Sequence, residues 1–190
     1  MIYLLIASYL IGSISSAVII CKLLGIPDPR TQGSKNPGAT NVLRLGGKKI
    51  AGFVLTFDGL KGATPVIIGH YLEFGLTQLT LITLCAFLGH IFPVFFRFRG
   101  GKGVATYIGG LIAINLLAGL IFSVIWLLVA KALKTSSLAA LIATALSPFY
   151  FYFITGDMGS TLIIGVISLL IFYTQRDNIK RLINKEEDVI

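Results

Sequence analysis

The sequence predicts an all-α integral membrane protein with seven transmembrane helices, its N-terminus periplasmic or extracellular and its C-terminus cytoplasmic. Three observations carry this. Of its 190 residues 55% are hydrophobic, and mean hydropathy is +0.88, outside the soluble globular range. Apolar blocks of span length recur along the whole chain. With one exception the basic residues fall on one side of the resulting membrane topology.

A crossing helix needs about 20 apolar residues for a hydrocarbon core of roughly 30 Å. Ile2 to Gly25 meets this length and lacks the basic start and small-residue cleavage site of a signal peptide, so it reads as a retained span. Further blocks run from Ile50 to Leu72 and from Leu76 to Phe96. The run from Val104 to Val129 would be close to 40 Å long as one helix, too long without strong tilt. Asn115 and Gly119 near its middle permit a turn. Leu138 to Ile154 and Ser160 to Tyr173 follow, and Gln175 to Ile190 is a polar tail. No repeat or linker divides the chain, so residues 1–190 read as one polytopic domain.

Charge settles the ambiguous run. If it is a hairpin, every Lys and Arg except Lys61 lies on one side, and the opposite loops carry Glu73 and Asp157 with no basic residue. The positive-inside rule makes the basic side cytoplasmic. A single pass would break this segregation. The formal charge of +8 is therefore concentrated at one membrane face, where it meets anionic lipid or a phosphorylated substrate rather than nucleic acid.

Polar strips interrupt the apolar pattern at that face. The first, Gly33-Ser34-Lys35-Asn36-Pro37-Gly38-Ala39-Thr40-Asn41, cannot form a lipid-facing helix. Pro37 removes a backbone donor, and Asn, Ser and Thr favour local side-chain bonds. Its hydroxyls, amides and free N–H groups suit an anion. A second strip, Arg97-Phe98-Arg99-Gly100-Gly101-Lys102-Gly103-Val104-Ala105-Thr106, leads into a helix, where free N–H groups and the dipole favour negative charge. It lacks the spacing of a Walker A loop. Thr135-Ser136-Ser137 reads as a helix cap or as part of a site. Gln175 to Leu182 reads as a basic anchor or as part of a site. His90 is either a packing residue or an active-site group near the Gly-rich loop. Asp58 and Lys61, three apart on one helical face, neutralise each other in a structural or cavity-lining role. Cys21 and Cys85 read as small packing residues.

The pattern also excludes chemistries. It holds no carboxylate pair, HExxH or Cys/His cluster for a metal, and no Gly-x-Ser-x-Gly elbow. The His-x4-Asp pattern of thioester-dependent glycerolipid acyltransferases is absent, because Gly75 and Phe95 follow His70 and His90 by five.

The strips together resemble bacterial acyl-phosphate:glycerol-3-phosphate acyltransferases, the PlsY family. The first strip with Arg44, then Asp58-Gly59-Leu60-Lys61-Gly62, Gly89-His90-Ile91-Phe92-Pro93, Gly100 to Thr106, Ser136-Ser137 and Asp177-Asn178-Ile179 match its signatures in order. The resemblance covers nearly the whole chain. It implies transfer of an acyl group from a fatty acyl phosphate to the 1-hydroxyl of sn-glycerol 3-phosphate, giving lysophosphatidate and phosphate. No metal or other cofactor takes part. It implies catalytic roles for Ser34, Arg44, Lys102, Asn178 and His90. Asn36, Gly38, Thr40, Asn41, Gly100, Gly101, Gly103, Thr106, Ser136 and Ser137 would bind substrate. It further implies an inner-membrane location with the site at the cytoplasmic face. The expected partners are membrane lipids and the enzyme that makes acyl phosphate, with a monomeric chain and no nucleic acid. Two positions depart from the family: Lys35 stands where Gly is usual, and Gln175 where His is commoner, so a proton-transfer role for that His is lost. A transporter or flippase of an anionic phospho-compound is the alternative, to be marked by broken, charged midplane helices and inverted repeats.

Overall fold

The computed structural model describes residues 1–187, all of them in helices, turns or connecting loops. The described helices are α1 (Ile2–Gly12), α2 (Ser16–Leu23), α3 (Ala39–Tyr71), α4 (Leu76–Ile91), α5 (Val104–Ile114), α6 (Leu116–Leu133), α7 (Ser136–Thr155), α8 (Met158–Thr174) and α9 (Arg176–Ile183), with a 3₁₀ turn at Val94–Phe96. Four helical stretches are long and apolar enough to cross a membrane: Ala39–Tyr71, Leu76–Phe96, Leu116–Leu133 and Ser136–Thr155. The bent pairs α1–α2 (41°) and α8–α9 (59°) raise this to as many as six. The remaining apolar helix, α5, has 11 residues and rises only about 16 Å.

The ambiguous run does split, and at Asn115. This residue is extended (φ −151°, ψ 111°), and its side chain caps α6 by accepting from the N–H of Ala118 at 3.0 Å. A Cβ on Gly119 would meet the backbone of Ile112 at 2.6 Å. Residues seven apart on one straight helix stand about 10 Å apart, so the chain doubles back.

Two irregularities were not foreseen. The first span is broken at Ser13–Ser15, and α3 begins at Ala39, well before the apolar block. Gly47 (φ 81°, ψ 178°) kinks α3 between its interfacial start and its membrane stretch. That conformation is open to glycine at no steric cost. The kink lets a polar helical turn carry Thr40, Asn41 and Arg44 at the membrane surface.

Close helix approach depends on small residues, as expected where lipid removes the hydrophobic drive between helices. A Cβ on Gly109 of α5 would strike the Gly59 carbonyl of α3 at 1.9 Å, and one on Gly62 the Thr106 carbonyl at 2.0 Å. The core groups Phe87, Tyr107, Leu111, Phe122, Phe151 and Ile164. Tyr107 packs edge-on against Phe122 (ring centroids 5.5 Å, 89°) and donates to Ser147 at 2.9 Å. Cys21 is buried, Cys85 half-buried, and both are free thiols.

Candidate active site

The Gly33–Asn41 strip is held by Asn41. This side chain is 1% exposed and donates to the carbonyls of Pro29 and Gln32 at 2.9 and 3.0 Å. Its oxygen accepts from the Ser34 N–H at 3.0 Å. With both N–H groups committed to the loop, Asn41 shapes the strip from a position that also lines the cavity. Gly38, extended, stands at the N-cap of α3 without a side-chain cap. Lys35 has φ 57°, is exposed and does not line the cavity described below.

The Gly-rich strip packs against α4. The Gly101 N–H donates to the His90 carbonyl at 3.2 Å. A Cβ on Gly100 would meet that same carbonyl at 2.0 Å, and one on Gly101 would meet the His90 Nε2 at 2.3 Å. Gly103 takes φ 85° at the N-cap of α5, against the Phe87 ring. Lys102 is thereby turned into the site. Burial lowers its ammonium to about 8, and the charges of Arg181 and Arg44 add to this while Glu187 and Asp177 oppose it.

The third side comes from α7, α9 and the tail. Thr135 occupies the N-cap of α7, but its hydroxyl donates to the Leu133 carbonyl at 2.9 Å, so it does not cap by side chain. The next hydroxyl, Ser136, stands 3.4 Å from that of Thr40. Glu187 accepts from the Ser137 hydroxyl at 2.8 Å, from the Asn178 amide and from Arg181 at 2.7 Å. Burial pushes the Glu187 carboxyl up, but these three partners more than offset it and hold it below the usual carboxylate range. Sequence reasoning missed Glu187; its signal was an acid in the polar tail, beyond the Gln175 to Leu182 segment read as a basic anchor.

Beneath the site lies a buried polar cluster. Asp58 pairs with Lys61 at 2.9 Å and accepts from Ser16 at 2.8 Å. Lys61 also donates to the Ile14 carbonyl at 2.8 Å, a group freed by the break in the first span. The His90 Nδ1 stands 3.7 Å from Asp58, too far for a hydrogen bond, so His90 acts on the loop through its carbonyl and ring packing.

These elements enclose one cavity of about 550 Å³. Ser34, Asn36, Gly38, Thr40, Asn41, Arg44, His90, Lys102, Gly103, Ser136, Ser137 and Asn178 all line it. Gly100 and Gly101 do not; they set the loop's approach to α4. Thr106 is fully buried and also lies outside the lining. Gln175 and Arg181, placed with the basic anchor by sequence, do line it. Away from this polar end the walls become Leu55, Leu60, Ala63, Ile108, Ile112, Trp126 and Leu127, a groove between α3, α5 and α6. Among the described residues, no three or more His, Cys, Asp or Glu side chains converge as metal ligands.

A bundle of membrane-length helices that joins a cation-lined pocket to an apolar groove defines a multi-pass integral membrane protein built to bring polar and apolar groups together. The chain belongs to the glycerol-3-phosphate acyltransferase family, whose model matches residues 2–185. The glycerol-3-phosphate acyltransferase of Ruthia magnifica subsp. Calyptogena magnifica is 59% identical over 189 residues, covering 100% of this chain and 96% of that protein. That of Legionella pneumophila subsp. pneumophila (strain Philadelphia 1) is 47% identical, over 100% and 68%. The fold is also that of PlsY (YgiH), an integral membrane glycerol 3-phosphate acyltransferase. Its glycerol 3-phosphate form superposes with a TM-score of 0.94 at 38% identity, covering 100% of this chain and 94% of that one. Its lysophosphatidic acid form gives 0.92 at 37% identity.

Proposed function

We propose that this protein moves the acyl group of a fatty acyl phosphate to the 1-hydroxyl of sn-glycerol 3-phosphate, giving lysophosphatidate and inorganic phosphate. In this reading the chain crosses the bacterial inner membrane seven times, N-terminus outside, with the site at the cytoplasmic face. The observation that carries it is the single cavity with two chemistries, three cations (Arg44, Lys102, Arg181) at one end and an apolar groove at the other. A phosphate suits the first and an acyl chain the second. The names of the relatives, and the two forms in which PlsY was solved, support the acceptor and the product.

The cations neutralise the phosphates of both substrates, and the first turn of α3, with Asn36, Gly38 and Thr40, cradles the donor. Ser34 orients the acceptor. The hydroxyl oxygen attacks the acyl carbonyl carbon, the bond from that carbon to the phosphate oxygen breaks, and phosphate leaves. The carboxylates that line the cavity, Asp58 and Glu187, are bound to Lys61 and Arg181. The hydroxyl proton therefore goes to a phosphate oxygen. Lys102 stabilises charge on the carbonyl oxygen or the departing phosphate, an effect typically worth several kcal/mol.

Purified protein given labelled glycerol 3-phosphate with palmitoyl phosphate or palmitoyl-CoA tests this. Lysophosphatidate formed from the phosphate donor alone, with chelator present, supports the proposal. Product from the thioester only, or from neither donor, sinks it. Ser34→Ala and Lys102→Ala should abolish turnover while the protein inserts normally; full activity in either refutes the assignment of that residue.

A further inference from the structure

The crossing stretch Leu76–Phe96 ends in an aromatic and basic turn, Phe92-Pro93-Val94-Phe95-Phe96-Arg97-Phe98-Arg99, which feeds directly into the Gly-rich strip. Its backbone is satisfied from inside the protein. The Tyr9 hydroxyl donates to the Phe92 carbonyl at 2.7 Å, and the Val94 N–H donates to the Ser13 hydroxyl at 3.4 Å. The Pro93 carbonyl accepts from the N–H groups of Phe96 and Phe98 at 3.1 and 2.9 Å, and the Phe96 carbonyl from that of Arg99 at 3.2 Å. Irregular backbone is tolerated at membrane depth only where the protein meets its polar groups in this way. Arg30, fixed by Asp28 at 2.7 Å, lies over the Phe96 ring at 5.8 Å and braces the turn from the preceding loop.

The side chains do the opposite. Phe92, Phe95 and Phe98 are 41%, 60% and 59% exposed. Arg97 and Phe98 are both left-handed (φ 56° and 58°), a costly conformation for side chains of this size. Arg97 and Arg99 are exposed, and among the described residues neither pairs with a carboxylate. None of these five side chains lines the cavity. The turn thus commits its backbone to the protein and presents rings and unpaired cations outward, at the end of a crossing helix. Rings of this kind settle at headgroup level and the cations at lipid phosphates. We propose that the Phe92–Arg99 turn is a binding site for anionic phospholipid. Arg97 and Arg99 hold the headgroup charge, and Phe95 and Phe98 lie against the first acyl carbons. A soluble partner needs a surface clear of the bilayer, whereas this turn closes a crossing stretch. Lipid held here fixes the depth of Gly100 and of the strip that follows it.

Native mass spectrometry of the full chain, with phosphatidylglycerol and phosphatidylcholine of matched acyl chains supplied in equal amounts, tests this. It reads lipid retention without any substrate, so its outcome is separate from that of the proposed reaction. Wild type should retain phosphatidylglycerol over phosphatidylcholine by about 10- to 30-fold. Arg97→Gln combined with Arg99→Gln should bring the ratio near unity. Lys48→Gln combined with Lys49→Gln, two exposed lysines away from the turn, should leave it unchanged. Phe95→Ser combined with Phe98→Ser should lower retention of both lipids alike. Equal retention by wild type overturns the inference and leaves the turn as a surface for a protein partner. An arginine pair that loses no more than the lysine pair assigns the preference to diffuse surface charge and overturns it too. So does a phenylalanine pair that retains both lipids as wild type does.

Discussion

The backbone N–H of Ser34 is tied to the side-chain oxygen of Asn41, seven residues on, at 3.0 Å. The serine that would meet the acceptor is therefore aimed by a residue at the start of α3. Asn41→Ala releases three bonds at once and lets Ser34 drift. A displacement near 1 Å can cost on the order of 10²-fold in rate. We expect kcat/KM to fall by about that factor with the circular dichroism spectrum unchanged.

Lys102 titrates at about 8 because it is buried. A lowered amine value means the cation is lost as pH rises through about 8. The kcat/KM of the free enzyme should decline above that pH. Lys102→Arg, which stays charged, should remove this alkaline limb whatever its absolute rate. Lys102→Ala, which lacks the cation at every pH, should leave no measurable turnover across the profile.

Asp58 and Lys61 form a buried pair with side chains 3% and 8% exposed. Removing either partner strands a charge, which costs about 3–5 kcal/mol. Asp58→Asn and Lys61→Met should each lower the Tm in detergent sharply. The double variant should recover part of the loss, as a double-mutant cycle would record.

Glu187 is held below the usual carboxylate range by Asn178, Ser137 and Arg181, against the opposing effect of burial. A depressed folded value gives stability that is present above the unfolded value, about 4.3, and lost as pH falls through the folded one. The Tm gap between wild type and Glu187→Gln should thus be steady near neutrality and close on acidification below about pH 4. The variant should also raise KM for glycerol 3-phosphate, since Asn178 and Ser137 lose their anchor.

Hydropathy made the spans legible, and the segregation of charge selected the reversal that Asn115 and Gly119 permitted. The polar strips were legible because a membrane face leaves few reasons for Asn, Gly and Thr to cluster. What escaped was decided by distant partners. Nothing near Ser13–Ser15 announces a helix break, because the group that satisfies the freed Ile14 carbonyl is Lys61 on another helix. The helical start of α3 escaped because Gly47 resets its direction, and composition cannot distinguish a kinked helix from a loop followed by one. Glu187 belongs to the site through residues 6, 9 and 50 positions away.

The bond from Lys61 to Ile14 also bears on how the protein is made. An ammonium at mid-helix resists entry into lipid by about 2.5–3.5 kcal/mol, and a broken helix carries unmet backbone groups with it. Asp58 on the same helix neutralises Lys61, but the Ile14 carbonyl finds its donor only when both segments are present. The break in the first span is therefore completed by α3, and the two segments reach their final hydrogen bonding only together.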